Sequence, residues 1–125
     1  MYYSKETKKS EDELRTCLLK ALENSTFALQ HEHNLQAKLE AKNLSLDTCK
    51  IFDICNPFIA KELLDIDINA CVLLPCSLVI YRKDSKLYLG FFELAKVLTI
   101  LNPKLEQSAK KLENELKQII KNTLA

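Results

Sequence analysis

The sequence predicts an α/β domain in which a mixed sheet of four or five strands packs with helices and the chain closes on a long C-terminal helix. Three observations predict it. Stretches that alternate with period two are interleaved with stretches of helical period. The dipeptide Asn-Pro occurs at Asn56-Pro57 and Asn102-Pro103, each time ahead of an apolar helical stripe. Two apolar stretches, 72–81 and 86–92, flank polar Arg82-Lys83-Asp84-Ser85, which reads as a hairpin. With 125 residues, 47% apolar and 28% charged, the balance is that of a folded chain rather than a disordered one, and residues 1–125 are expected to form a single domain.

The elements follow in order. Tyr2 and Tyr3 open a short strand, and Ser10 with Glu13 has the N-cap and N3 spacing of a capping box. The helix it starts carries Leu14, Cys17, Leu18, Ala21 and Leu22 on one stripe, which places Cys17 in the core, and stops near Asn24. Residues 26–33 alternate as a strand, with His31 and His33 on the side of Phe27 and Leu29. Asn34 caps a short helix over 35–42, and residues 49–55 form a strand ended by Asn56-Pro57. A helix covers 58–65. The strands 72–81 and 86–92 are apolar on both sides, so helices cover one face and a second subunit or further helices the other. A helix over 94–101 precedes the terminal one, whose stripe is Leu105, Ala109, Leu112, Leu116, Ile119, Ile120 and Leu124.

Composition excludes several classes of function. Eighteen basic against seventeen acidic residues leave a net charge of +1, too little field to hold a phosphate backbone or an anionic bilayer, so no nucleic acid and no membrane partner is expected. The longest apolar run, 70–81, is 12 residues and contains Pro75, short of the roughly 20 that span a bilayer. The polar first ten residues lack the apolar core of a secretory signal, which argues for a cytoplasmic location. Five cysteines without Cys-x-x-Cys spacing then read as reduced thiols rather than disulfides or a zinc ribbon. A single glycine, Gly90, rules out glycine-rich phosphate loops, and no Gly-x-Ser-x-Gly elbow is present.

What remains are three local features. Cys55-Asn56-Pro57 puts a thiol at a strand end just before a helix start, where unpaired amides and the positive end of the helix dipole favour a thiolate. The alternative is that Cys55 is a small buried hydrophobe. Leu74-Pro75-Cys76 breaks a strand ladder, which either opens backbone beside a pocket or redirects the strand, and Cys76 then either reacts or packs. His31 and His33 project to one side of their strand and can join Asp53 or Cys55 as metal ligands if those strands are neighbours; otherwise they are surface histidines.

The order of a capped helix, a strand, Asp53-Ile54-Cys55-Asn56-Pro57 with Ala60 and Leu63, then Leu73-Leu74-Pro75-Cys76 with Val79 and Tyr81 resembles the domain-of-unknown-function 302 family over about residues 6–122. The resemblance implies a compact α/β fold with a mixed sheet, commonly a homodimer, and no established activity. Its members often carry a glycine in the turn between the paired strands, where this chain has Asp84-Ser85, and the histidine pair lies outside the family pattern.

The leading expectation is therefore a homodimeric, non-catalytic binding or interaction module, open to a small-molecule ligand, with no cofactor specified and no recognisable catalytic constellation. The alternatives are a thiol relay at Cys55 and Cys76, with Asn56, Pro57 and Pro75 around it, carrying sulfur, redox equivalents or a soft ligand such as haem iron, and a transition-metal site through His31, His33 and Asp53.

Overall fold

The computed structural model describes residues 1–125 and opens on a strand, β1 (Tyr2–Thr7). The capping box forms as expected. Ser10 Oγ accepts from the Glu13 amide at 3.2 Å, and Glu13 Oε1 accepts from the Ser10 amide at 3.3 Å, so α1 (Glu11–Glu23) starts there. Leu14, Leu18, Ala21 and Leu22 are buried, whereas Cys17 lies half-buried at the margin of the stripe rather than in the core. Strand β2 (Ala28–Asn34) runs into α2 (Leu35–Glu40), whose cap is the Asn34 side chain, accepting from the Ala37 amide. Next come β3 (Cys49–Cys55) and α3 (Pro57–Ile66).

The stretch 72–81 is not one strand. Asp67 caps a 3-10 helix at Ile68–Leu73, its side chain accepting from the Asn69 amide, and the chain then passes a cis Leu74–Pro75 bond before β4 (Cys76–Lys83) begins. Val72 is accordingly exposed instead of buried in a sheet. Proline has no amide to give to a ladder, which is why pairing starts only after Pro75. A two-residue turn at Asp84 and Ser85, with φ of 51° and 65°, joins β4 to β5 (Lys86–Phe92). Both central residues sit in the left-handed region, the geometry of a type I′ hairpin that is usually filled by Asn and Gly. α4 (Ala95–Leu101) follows, and Asn102 caps a 3-10 turn at Pro103–Leu105 that leads directly into α5 (Glu106–Leu124).

The five strands pair in the order β1-β5-β4-β3-β2, and every ladder is antiparallel. The expected mixture of strand directions is absent for a geometric reason. A lone helix between β3 and β4 would carry the chain to the far end of the sheet and make them parallel. Here the 3-10 segment brings it back, so that β4 begins where β3 ends, with Cys76 opposite Ile54.

Alternation assigns each strand's two sides. Phe52 and Ile54 of β3, Cys76, Leu78 and Ile80 of β4, and Leu87, Leu89 and Phe91 of β5 are buried toward the helices. They join α1, α3, α4 and α5 in one cluster of 25 buried residues, so the chain has a single core. The terminal stripe packs as expected from Leu105 to Ile120; at its end Thr123 is buried, its hydroxyl donating to the Ile119 carbonyl, while Leu124 is partly covered. None of those core residues lies on the opposite side of the sheet, where Lys38 of α2 reaches His33 with Nζ 3.5 Å from Nδ1, and no helix is long and apolar enough to cross a membrane.

Candidate functional site

The expected thiol locus is assembled but filled. Cys55, Asn56, Pro75 and Cys76 meet beside Ala60 and Leu112 around a cavity of about 10 Å³, space for at most one water. A helix does start at Pro57, yet the amides expected to face the Cys55 sulfur are already accepted: Asn56 Oδ1 takes those of Phe58 and Ile59 at 3.1 and 3.2 Å. The Asn56 amide group donates to Thr26 Oγ1 at 2.8 Å and to Glu115 Oε2 at 2.7 Å. Asn56 is thus a buried joint between α3, the approach to β2 and α5. Burial and the neighbouring Cys55 push the Cys76 thiol up to about 12, far from a thiolate at neutral pH. Cys55 is half-buried, and Pro57 and Pro75 are exposed.

β2 and β3 are neighbours, as the histidine reading required, and His31 stands opposite Asp53. His33 Nε2 donates to Asp53 Oδ2 at 2.7 Å, and Ser77 Oγ donates to Asp53 Oδ1 at 2.9 Å. Burial works to raise the Asp53 pKa, but the bonds from His33 and Ser77 outweigh it and hold the carboxylate below its usual range. The two imidazole rings meet edge to face with centres 4.4 Å apart. Cys55 lies further along β3, opposite Ala28, and no group of three or more His, Cys, Asp or Glu side chains is placed to hold a metal ion.

These groups sit on the side of the sheet away from the core, beside an apolar strip. Ile51, Val79, Tyr81, Tyr88, Tyr2 and Phe92 form it by register, with Tyr2 67% and Phe92 43% exposed. Tyr81 and Tyr88 stack with centres 5.4 Å apart. Tyr81 reaches across β5 to Ser4, the two hydroxyl oxygens 2.6 Å apart. Gly90 lies between their strands, and its missing side chain leaves a groove of about 370 Å³ bounded by Tyr2, Ser4, Val79, Tyr81 and Phe92. A Cβ at Gly90 would come within 2.7 Å of the Tyr3 carbonyl oxygen, so the ladder itself demands glycine there.

A model of the family described as domain of unknown function DUF302 matches residues 3–123, nearly the whole chain. The chain belongs to the DUF302 family. A solved structure, an uncharacterised conserved DUF302 protein from Bacillus stearothermophilus, is similar with a TM-score of 0.92 at 22% identity, over 98% of this chain and 97% of that one. At that identity the likeness establishes the DUF302 fold alone. A comparison with curated proteins returned no match.

Within this DUF302 chain, the groove over Gly90 is the feature that motif reading passed over. Its signals were in the sequence: the only glycine lies within an apolar strand, and Val79, Tyr81, Tyr88 and Phe92 occupy alternate positions to those that form the core. The helix start offers the Cys55 thiol no free amides because Asn56, the residue that caps the helix, accepts them itself.

Proposed function

We propose that this DUF302 chain is a homodimeric, non-catalytic binding module in which two copies pair through the sheet face opposite the core. The observation that carries the reading is an apolar strip on the side of the sheet away from the core, formed by Tyr2, Ile51, Val79, Tyr81, Tyr88 and Phe92 and framed by the polar Ser4, Glu6, Lys83 and Lys86 at one end and His31, His33, Asp53 and Ser77 at the other. Five strands of six to eight residues give a footprint of roughly 24 by 22 Å. Face-to-face pairing would then bury about 1,000 Å² in all, the lower bound of a specific interface. The homodimers implied by the family resemblance support a second copy as the occupant. Pairing would also roof the groove over Gly90, whose size is that of a small-ligand site.

A thiol relay draws no support from a Cys76 that is buried and held protonated beside a cavity too small for a ligand. Light scattering tests the dimer. A mass near twice 14.3 kDa at micromolar concentration is expected. Val79→Glu, which alters that face and not the core, should halve it with an unchanged circular dichroism spectrum. A single-chain mass for the unaltered protein, or a dimer indifferent to Val79→Glu, refutes the reading.

A further inference from the structure

We propose that the groove over Gly90 binds a planar aromatic carboxylate, a flat monoanion whose rings lie against Tyr2, Tyr81 and Phe92 and whose carboxylate meets Lys83. This ligand gives the binding module inferred above its occupant, an assignment that rests on that reading of the face. Gly90 makes the room. It stands between Ser4 of β1 and Val79 of β4, and its neighbours on the same side of β5 are Tyr88 and Phe92. Tyr81 lies nearly parallel to Tyr88, with 15° between the planes, and its hydroxyl ends on Ser4, so its ring crosses β5 beside the glycine and walls the groove. Tyr2 and Phe92, opposite one another in register and both exposed, line it as well. Aromatic walls of this kind hold a flat ring by offset or edge-on stacking, and a volume of about 370 Å³ lies in the range of small-ligand sites.

The polar groups set the charge of the ligand. Lys83 is the only charged residue that lines the groove, and it stands directly across the hairpin from Lys86. The nearest carboxylate on this face, Glu6, is taken by Lys8 at 3.5 Å and Lys86 at 3.8 Å, and Lys83 has no ion-pair partner. One ammonium is thus left without a counter-charge beside another of the same sign, an arrangement that an anion relieves. Ser4 Oγ and the Tyr81 hydroxyl, 2.6 Å apart, share one hydrogen; the second hydrogen of the pair has no acceptor in the protein and is free for a carboxylate oxygen. One cation and one O–H donor suit a single negative charge. Every lining residue belongs to one chain, so a second copy roofs the site and does not build it. An interface near the lower bound of size is of the transient kind, which lets the acid enter before the roof closes.

Calorimetric titration of 2-naphthoate into the full chain near neutral pH tests the site, with 2-naphthalenemethanol as the neutral counterpart. One naphthoate per chain is expected, and the alcohol should bind at least tenfold more weakly. Lys83→Met, a change to an exposed side chain, should weaken naphthoate binding at least tenfold and erase the preference for the acid. Tyr81→Phe, which removes the hydroxyl pair, should weaken it severalfold. Lys104→Met, on the 3-10 turn among the helices, should leave it unchanged. Light scattering on the same samples separates the ligand from the dimer. A single-chain mass with naphthoate bound refutes the dimer alone, and a dimer that takes up no naphthoate at about 1 mM refutes the ligand alone. Equal affinity for the alcohol, an affinity indifferent to Lys83→Met or to Tyr81→Phe, or an equal loss in Lys104→Met would each overturn the proposal.

Discussion

Replacing Asn56 with alanine should be among the costliest single polar substitutions in this protein. The side chain is 4% exposed and makes four hydrogen bonds to three parts of the fold. Loss of an N-cap costs about 1 kcal/mol. The bond to neutral Thr26 contributes about 1 kcal/mol and that to the Glu115 carboxylate about 1.5–3 kcal/mol. Water can reach Thr26 and part of Glu115 once the amide is gone, so a net loss of about 2–4 kcal/mol is expected rather than the full sum. At this chain length that corresponds to a fall in Tm of about 10 °C. Urea unfolding at fixed protein concentration, with an unchanged m-value, measures it. Asn56→Asp sharpens the test, because it keeps the acceptor for the Phe58 and Ile59 amides but turns a carboxylate oxygen toward Glu115 Oε2. Two adjacent carboxylates raise one folded-state pKa above its unfolded value. The variant therefore carries its extra penalty at neutral pH, and the penalty fades as pH falls toward about 4, where the unfolded chain's carboxyls also take up protons. A loss below about 1 kcal/mol in Asn56→Ala, or an Asn56→Asp variant as stable as the parent at neutral pH, refutes the reading of Asn56 as a structural joint.

Two further outcomes are expected. Ser85→Gly should raise stability by about 1 kcal/mol in thermal unfolding, since Ser85 holds φ of 65° where a Cβ is strained; an unchanged or lower Tm would show that the turn is not strained. Alkylation of the native protein near pH 8 should label exposed Cys71 first and spare buried Cys76, whose thiol lies at about 12, until the chain unfolds. Mass-mapped labelling of Cys76 at the rate of a free thiol would contradict its burial.

Features set by neighbours in the chain were legible from sequence, and those set by distant partners were not. The Ser10 and Glu13 capping box, the Asn34 and Asn56 caps and the α5 stripe depend on residues within a turn or two, and each forms. The apolar continuity of residues 70–81 hid the 3-10 helix, although Asp67 two residues before Asn69 is a capping signal of the same kind as the others. Antiparallel pairing throughout was not readable, because it depends on the path by which the chain returns from α3 to β4. Proximity of the histidines to Asp53 followed from strand adjacency, but the tautomer that Asp53 imposes required Ser77, a residue two strands from His33.

The one-sided sheet divides each strand's positions between two unrelated duties. Phe52, Leu78 and Leu89 keep the chain folded, while Ile51, Val79 and Tyr88, each a single residue away, point away from that core. A collection of variants randomised at Ile51, Val79, Tyr81, Tyr88 and Phe92 should then retain the helices and core intact and differ chiefly in what adheres to them. That makes the sheet a display surface whose recognition can be rewritten without redesigning the scaffold beneath.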